Sequence, residues 1–273
     1  MIILRDIDPN VISIGPLSIK WYSLAYIFGI LFGWFYASKI VEKYNLSITK
    51  KNLEDFVTWS VVSIIIGGRL GYVLFYNLTK YLAHPIDILK IYEGGQSFHG
   101  GLVGLIIALI LFCKKYKIDT LKMMDLIAVV APFGLLLGRI ANFINGELYG
   151  RMTDVSWAVV FLDTDLHVPA LPRHPSQLYE AIANGLILFA IMFYLVFYKK
   201  ALTFKGRTSA IFILYYSVIR ILLENFRQPD PQVGLFWNYV TMGQILSLPM
   251  LLIGAYLLVK SSKCQLTQTS ENI

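Results

Sequence analysis

An all-α polytopic integral membrane protein of about seven spanning helices is the fold class that three features of this sequence predict. The 273 residues are 56% hydrophobic, with a mean hydropathy of +0.61. Soluble domains are usually about 45–50% apolar. The apolar residues come in long runs, and Lys and Arg come in short clusters between the runs. A formal charge of +7 could point to nucleic acid, but the charges form no single patch. Spread this way they report topology.

A spanning helix needs about 20 mostly apolar residues. Seven segments are read in order: Trp21–Ser38, Phe56–Tyr76, Gly100–Cys113, Leu121–Leu137, Leu178–Tyr198, Thr208–Leu223 and Tyr239–Val259. The first begins with Trp21 and Tyr22. The second carries Arg69 thirteen residues beyond Phe56, ~20 Å along at about 1.5 Å per residue. The third and fourth are short and need their polar ends to complete the span. The prolines of "LPRHPSQLYE" open the fifth as helix-start punctuation. The sixth ends at Arg220 and Glu224, and the seventh starts near Asn238 and Tyr239.

Fourteen of the 24 Lys and Arg lie in alternate connections, Lys39 to Lys51, Lys114 to Lys122, Lys199 to Arg207 and Lys260 to Lys263. These clusters mark the cytoplasm, so the N-terminus is expected outside and the C-terminus inside. Residues 1–273 read as a single transmembrane domain. Its longest connection, 139–177, is an outer loop that forms part of a site, and 261–273 is a polar cytoplasmic tail. The start, MIILRDIDPN, lacks the features of a cleavable signal. Cys113 and Cys264 fall near cytoplasmic lysines, which argues against a disulfide framework or an outward-facing nucleophile.

With this topology the polar residues of several segments gather at one depth, on the outer side. A charge deep in a bilayer costs at least about 2.5–3.5 kcal/mol, so such groups are rarely idle. One arginine there reads as an interfacial anchor. Two on different helices at matching depth, Arg139 and Arg220, read as an anion site, because a guanidinium fork matches phosphate. The available anion is a phospholipid headgroup. Arg69, in "GGRLGY", is balanced between a ligand role and a structural ion pair with Glu147, Glu180 or Glu224. At least two of those glutamates are expected to hold arginines, since buried arginine wants a carboxylate. His99, in "SFHGGLVG", stands at a helix start beside two glycines, where backbone can approach a ligand; it titrates near neutral pH. Asp125 reads as a local cap or pair. His84, His99, His167 and His174 make no metal-binding pair at helical spacing. Ser176 lacks a nucleophile elbow, which disfavours an intramembrane protease.

The stretch "GRIANFINGELYGR", Gly138 to Arg151, resembles the signature of the bacterial prolipoprotein diacylglyceryl transferases. "SIGPLSIKWY", "GGRLGYVLFYN", "GGQSFHGGLVG", "LPRHPSQLYE", "ENFRQPD" and "MGQILSLPM" follow the same family's order over nearly the whole chain. Lys20 departs from it, where relatives can carry histidine. The resemblance implies a multi-pass enzyme of the bacterial cytoplasmic membrane with its active site toward the outer leaflet. It would move the diacylglyceryl group of phosphatidylglycerol to the lipobox cysteine of a prolipoprotein signal peptide, without metal, cofactor or nucleic acid. By position, Arg139 and Arg220 match the family's essential arginines. His99, Asn142, Glu147, Gly150, Tyr22, Tyr216, Glu180 and Glu224 match other positions important to it. Asn142 and Asn145 can hydrogen-bond ester or glycerol oxygens, or cross-link the loop. The competing reading is an anionic-lipid transporter or flippase that binds through the same arginines and breaks no bond.

Overall fold

The computed structural model describes all residues except 1, 5–7, 9, 15–16, 162–170, 230–235, 237–238 and 271–273. His167 and Asn238 therefore lie outside the described residues, as do part of the expected outer loop and the last three residues of the expected tail. The helices are α1 (Trp21–Tyr44), α2 (Lys50–Tyr76), α3 (Leu78–Ala83), α4 (Phe98–Tyr116) and α5 (Thr120–Ile144). Then come α6 (Ser176–Glu180), a π-helical stretch Ala181–Ile187, α7 (Leu188–Phe197), α8 (Arg207–Leu223) and α9 (Met242–Ser270). Six helices among the described residues are long and apolar enough to cross a membrane, with α6, the π stretch and α7 counting as one rod. The predicted sixth segment forms α8, at 17 residues the shortest of the seven.

The two segments predicted short gain length at polar ends. α4 takes in Lys114 and Lys115, and α5 continues to Ile144. Long basic side chains can remain helical while their charges reach water. A wholly α-helical chain is not what forms. β1 (Ile2–Leu4) pairs parallel with β4 (Val159–Phe161), which pairs antiparallel with β5 (Pro172–Arg173). β2 (Asn10–Ile14) and β3 (Leu17–Lys20) form a hairpin. Backbone groups outside the helices need partners, and pieces of two to five residues are too short to show a period.

Contacts divide the chain into two compact units, Met1–Gly33 with Met124–Ile273, and Trp34–Met123. In the second unit, α2 and α4 meet glycine to glycine. A Cβ on Gly71 would lie 2.8 Å from the Gly100 Cα, and one on Gly67 would lie 3.0 Å from the Gly104 Cα. Gly67 with Gly71 and Gly100 with Gly104 are two four-residue small-residue repeats laid against each other, the spacing that lets membrane helices touch at their backbones. Toward the other end of α2 and α4, Phe112 packs edge-on to Phe56 and Trp59.

In the first unit, Asp125 of α5 caps the start of α8. Its carboxyl accepts from the Gly206 and Ser209 backbone N–H at 2.6 and 2.8 Å and from the Thr208 and Ser209 hydroxyls at 2.9 and 2.8 Å. The sequence predicts a local cap or pair; the cap that forms is long-range, on donors 81 to 84 positions along the chain. Phe32 stacks on Phe133 at 3.8 Å between ring centres. α8 and α9 pack where Gly254 leaves room for Leu214.

Candidate active site

The expected arginine pair forms in the first unit, on three helix ends. Arg139 and Asn142 lie three residues apart near the end of α5, Glu180 closes the short α6, and Arg220 and Glu224 sit at the end of α8. Glu180 is 2% exposed and stands between the two guanidiniums. Its Oε2 lies 2.7 Å from Arg139 Nη2 and its Oε1 3.2 Å from Arg220 Nη1. Glu224 Oε2 reaches the same Arg220 nitrogen at 2.9 Å. Arg139 Nη1 donates to Asn142 Oδ1 at 3.2 Å. Two of the three glutamates thus hold arginines, as the charge argument expects.

A guanidinium carries five N–H donors. Among the described residues Arg139 donates one hydrogen bond, from Nη1 to Asn142, and makes an ion-pair contact through Nη2, while Arg220 meets both its carboxylates through Nη1. Each therefore keeps donors for an incoming anion while one edge is fixed by carboxylate. The set is electrically balanced, two arginines against two glutamates. Balance lowers the cost of burying the charges.

Around this clamp the signature loop is tied down. Asn142 Nδ2 donates to the Tyr22 hydroxyl at the start of α1, and the Glu147 carboxylate lies near that same hydroxyl. Asn145 Nδ2 lies 3.5 Å from Glu147 Oε1, a long contact. Gln177 Nε2 donates to the Glu147 carbonyl at 2.7 Å and Ser176 Oγ to the Leu148 carbonyl at 3.0 Å. The loop is thereby clipped to the helix that carries Glu180. Gly150 is where three backbones converge. Its N–H donates to the His174 carbonyl at 2.9 Å, and any Cβ would lie within 2.6 Å of the Phe226 carbonyl oxygen. Only glycine fits there, whatever else the position does.

Beside the clamp runs an aromatic chain. Trp157 Nε1 donates to the Tyr179 hydroxyl at 2.7 Å, and that oxygen is 3.1 Å from His174 Nδ1. Burial pushes the His174 imidazole below its usual pKa, which favours the neutral ring, and a neutral ring nitrogen can accept a hydrogen bond from the tyrosine hydroxyl. Tyr216, one turn before Arg220, stacks parallel to Phe212 at 6.1 Å.

The other two expected site residues belong to the second unit. Arg69 is 3% exposed, and backbone carbonyls rather than a carboxylate fill its fork. Nε donates to Ile88, Nη1 to Gly94 and Gly95, and Nη2 to Asp87 and Lys90, at 2.6 to 3.3 Å. It staples the 87–95 segment, and Tyr81 stacks on it at 5.1 Å. His99 is exposed on the first turn of α4, edge-on to Phe98 at 5.5 Å, with Ser97 capping the helix. It has no hydrogen-bond partner among the described residues.

Two residues of the clamp's surroundings escape a reading of the sequence. Gly243 opens α9 against the ion pairs; a Cβ there would lie 2.9 Å from Glu224 Oε1 and 3.0 Å from Arg220 Nη2. Its block, "MGQILSLPM", was visible, but nothing in it signals contact with arginine. Asn184, in the π stretch, is 2% exposed, and neither amide atom has a partner among the described residues. An unmade buried hydrogen bond costs on the order of 1–3 kcal/mol.

Six helices long and apolar enough to span a bilayer define a multi-pass membrane protein, in which a buried carboxylate bridges two arginines. The chain belongs to the prolipoprotein diacylglyceryl transferase family, whose model matches residues 9–260, and it is a transferase. It is 55% identical over 263 residues to the phosphatidylglycerol–prolipoprotein diacylglyceryl transferase of Rickettsia bellii (strain OSU 85-389), covering 96% of this chain and 98% of the relative. The enzymes of the same name from Rickettsia felis and Rickettsia conorii are 58% and 59% identical over 257 residues, covering 94% of this chain and 98% of each relative.

Proposed function

We propose that the protein transfers the diacylglyceryl group of phosphatidylglycerol to the lipobox cysteine of a prolipoprotein. The cysteine sulfur bonds to the glycerol carbon, the C–O bond to phosphate breaks, and glycerol phosphate leaves with the electron pair. The thiol proton passes to a base. One observation carries the reading: a pair of arginines that Glu180 bridges with donors to spare. The leaving phosphate gains negative charge as the bond breaks, and fixed guanidiniums stabilise that charge best where water is excluded. Glu224 orients Arg220, Asn142 and Tyr22 orient Arg139 and the loop, and Glu147, Asn145 and Gly150 shape the headgroup's surroundings. Tyr216 lines the lipid side. Arg69 serves by holding its segment in place.

Purified protein given phosphatidylglycerol and a lipobox peptide should release glycerol phosphate in step with thioether formation. Lipid binding or movement across the bilayer with no glycerol phosphate would favour the flippase reading instead.

His99 is assigned the thiol proton on its chemistry and its exposure at the head of α4. A free thiol with pKa near 8.5 is mostly protonated at neutral pH, and general-base catalysis typically contributes about 10²–10⁴-fold. His99→Gln should therefore lose most rate near neutral pH and recover as rising pH ionises the thiol unaided. A variant whose rate profile from pH 6.5 to 9 runs parallel to the parent's removes His99 from proton transfer.

We count α8 as the seventh span, which places the N-terminus and the clamp outside and the C-terminus in the cytoplasm. The lysine clusters support this orientation. Asp154, exposed in the loop after the signature, gives the check. Asp154→Cys should react with an impermeant thiol reagent added to intact spheroplasts. Labelling only after lysis reverses the topology.

A further inference from the structure

Asn184 stands four residues beyond Glu180 in the π stretch. A π turn closes over i→i+5 bonds, and such turns are rare and frequent at functional sites. Residues four apart share a face, so Asn184 lies on the Glu180 side of its helix, about one turn toward the bilayer centre. α8 runs the opposite way. Its Tyr216 is one turn inward from Arg220, and its Tyr215 hydroxyl donates to the Ala183 carbonyl at 3.1 Å. That bond fixes the register: the Glu180–Arg220 contact forms one layer, and Ala183, Asn184, Tyr215 and Tyr216 form the next. On the α5 side Gly185 closes on Leu136, where a Cβ would lie 2.7 Å from the leucine Cβ, one turn inward from Arg139. The deeper layer is therefore walled by tight packing and holds a carboxamide with no partner among the described residues.

A phospholipid seated with its phosphate in the arginine layer places its glycerol esters one step toward the acyl chains, in this layer. Ester oxygens only accept hydrogen bonds, and a carboxamide nitrogen donates two. We propose that Asn184 Nδ2 donates to an ester carbonyl of the diacylglyceryl group and so makes the protein select acyl-ester over ether lipids. The inference rests on the function proposed above.

The test compares diester phosphatidylglycerol with its dialkyl-ether analogue, which keeps the phosphate and lacks the carbonyls. Affinities are measured on purified protein by lipid displacement, with turnover to a lipobox peptide read in parallel. The unmodified protein should bind the diester about tenfold more tightly, the size of one net hydrogen bond. Asn184→Leu should bind both lipids alike, matching the unmodified protein's affinity for the ether. Where the leucine variant is not recovered, Asn184→Ala gives the same comparison. Equal affinity of the unmodified protein for both lipids overturns the proposal, as does a variant that keeps the ester preference. Ester-selective binding without turnover sinks the transferase reading and leaves this contact standing. Turnover without ester selectivity does the reverse.

Discussion

Glu180→Gln is expected to lower the turnover number about 100-fold while leaving affinity for phosphatidylglycerol unchanged or tighter. Glutamine keeps the shape of the bridge and removes its charge. Two guanidiniums that now face each other through a neutral group repel and separate. A headgroup still binds, because the local charge is more positive than before. It binds in the wrong place, and a displacement near 1 Å is enough to cost about 10²-fold. A purely structural Glu180 would behave differently, because breaking a buried ion pair costs about 3–5 kcal/mol of stability. Its loss would then appear as reduced folded protein with normal turnover per folded molecule. Steady-state kinetics on the folded fraction separates the two, and an unchanged turnover number rejects the clamp.

Gly100→Leu is expected to prevent recovery of folded protein altogether, and Gly100→Ala to destabilise by more than the usual 1–3 kcal/mol of an overpacked core. The reason lies in what Gly100 touches. A Cβ there would overlap the Gly67 carbonyl oxygen and lie 2.9 Å from the Gly71 Cα. Neither neighbour has a side chain that can turn away, so a whole helix must move. Gly134→Ala is the control. Nothing lies within 4 Å of its added Cβ, and removing a glycine from a helix interior gains roughly 0.5–1 kcal/mol. Unfolding measured in one detergent should order the variants Gly134→Ala, parent, Gly100→Ala. A stable Gly100→Ala would mean that α2 and α4 do not meet at their backbones.

Much of this architecture is legible in the residues, for a physical reason. Spanning helices are long, and their apolar composition is a signal summed over some twenty positions. The arginine–glutamate pairing is legible too, because charge at that depth is costly and must be matched. Glu180 and Glu224 duly meet Arg139 and Arg220. Arg69 shows where the argument stops. Among the described residues it meets no carboxylate, and its five donors are spent on carbonyls that any sequence could supply. No residue type announces a backbone oxygen. Asn184 is hidden for the opposite reason, one polar residue in an apolar run that also reads as a tolerated surface position. The short strands and the π stretch depend on how distant segments register. Composition carries no trace of that.

Asp125 and Glu180 fasten the α5–α8 neighbourhood at opposite ends by different means. At one end, four donors from the start of α8 converge on a single carboxyl, and an anion has nothing to offer them that Asp125 does not already supply. At the other, the fastening is a carboxylate that holds two arginines by part of each guanidinium, and the proposed phosphate takes the donors left over. The arrangement works like a clothes peg with a closed spring at one end and jaws set to receive a guest at the other. On the function proposed above, substrate arrival and product departure strain only the arginine end, and the Asp125 end need not reform with each turnover.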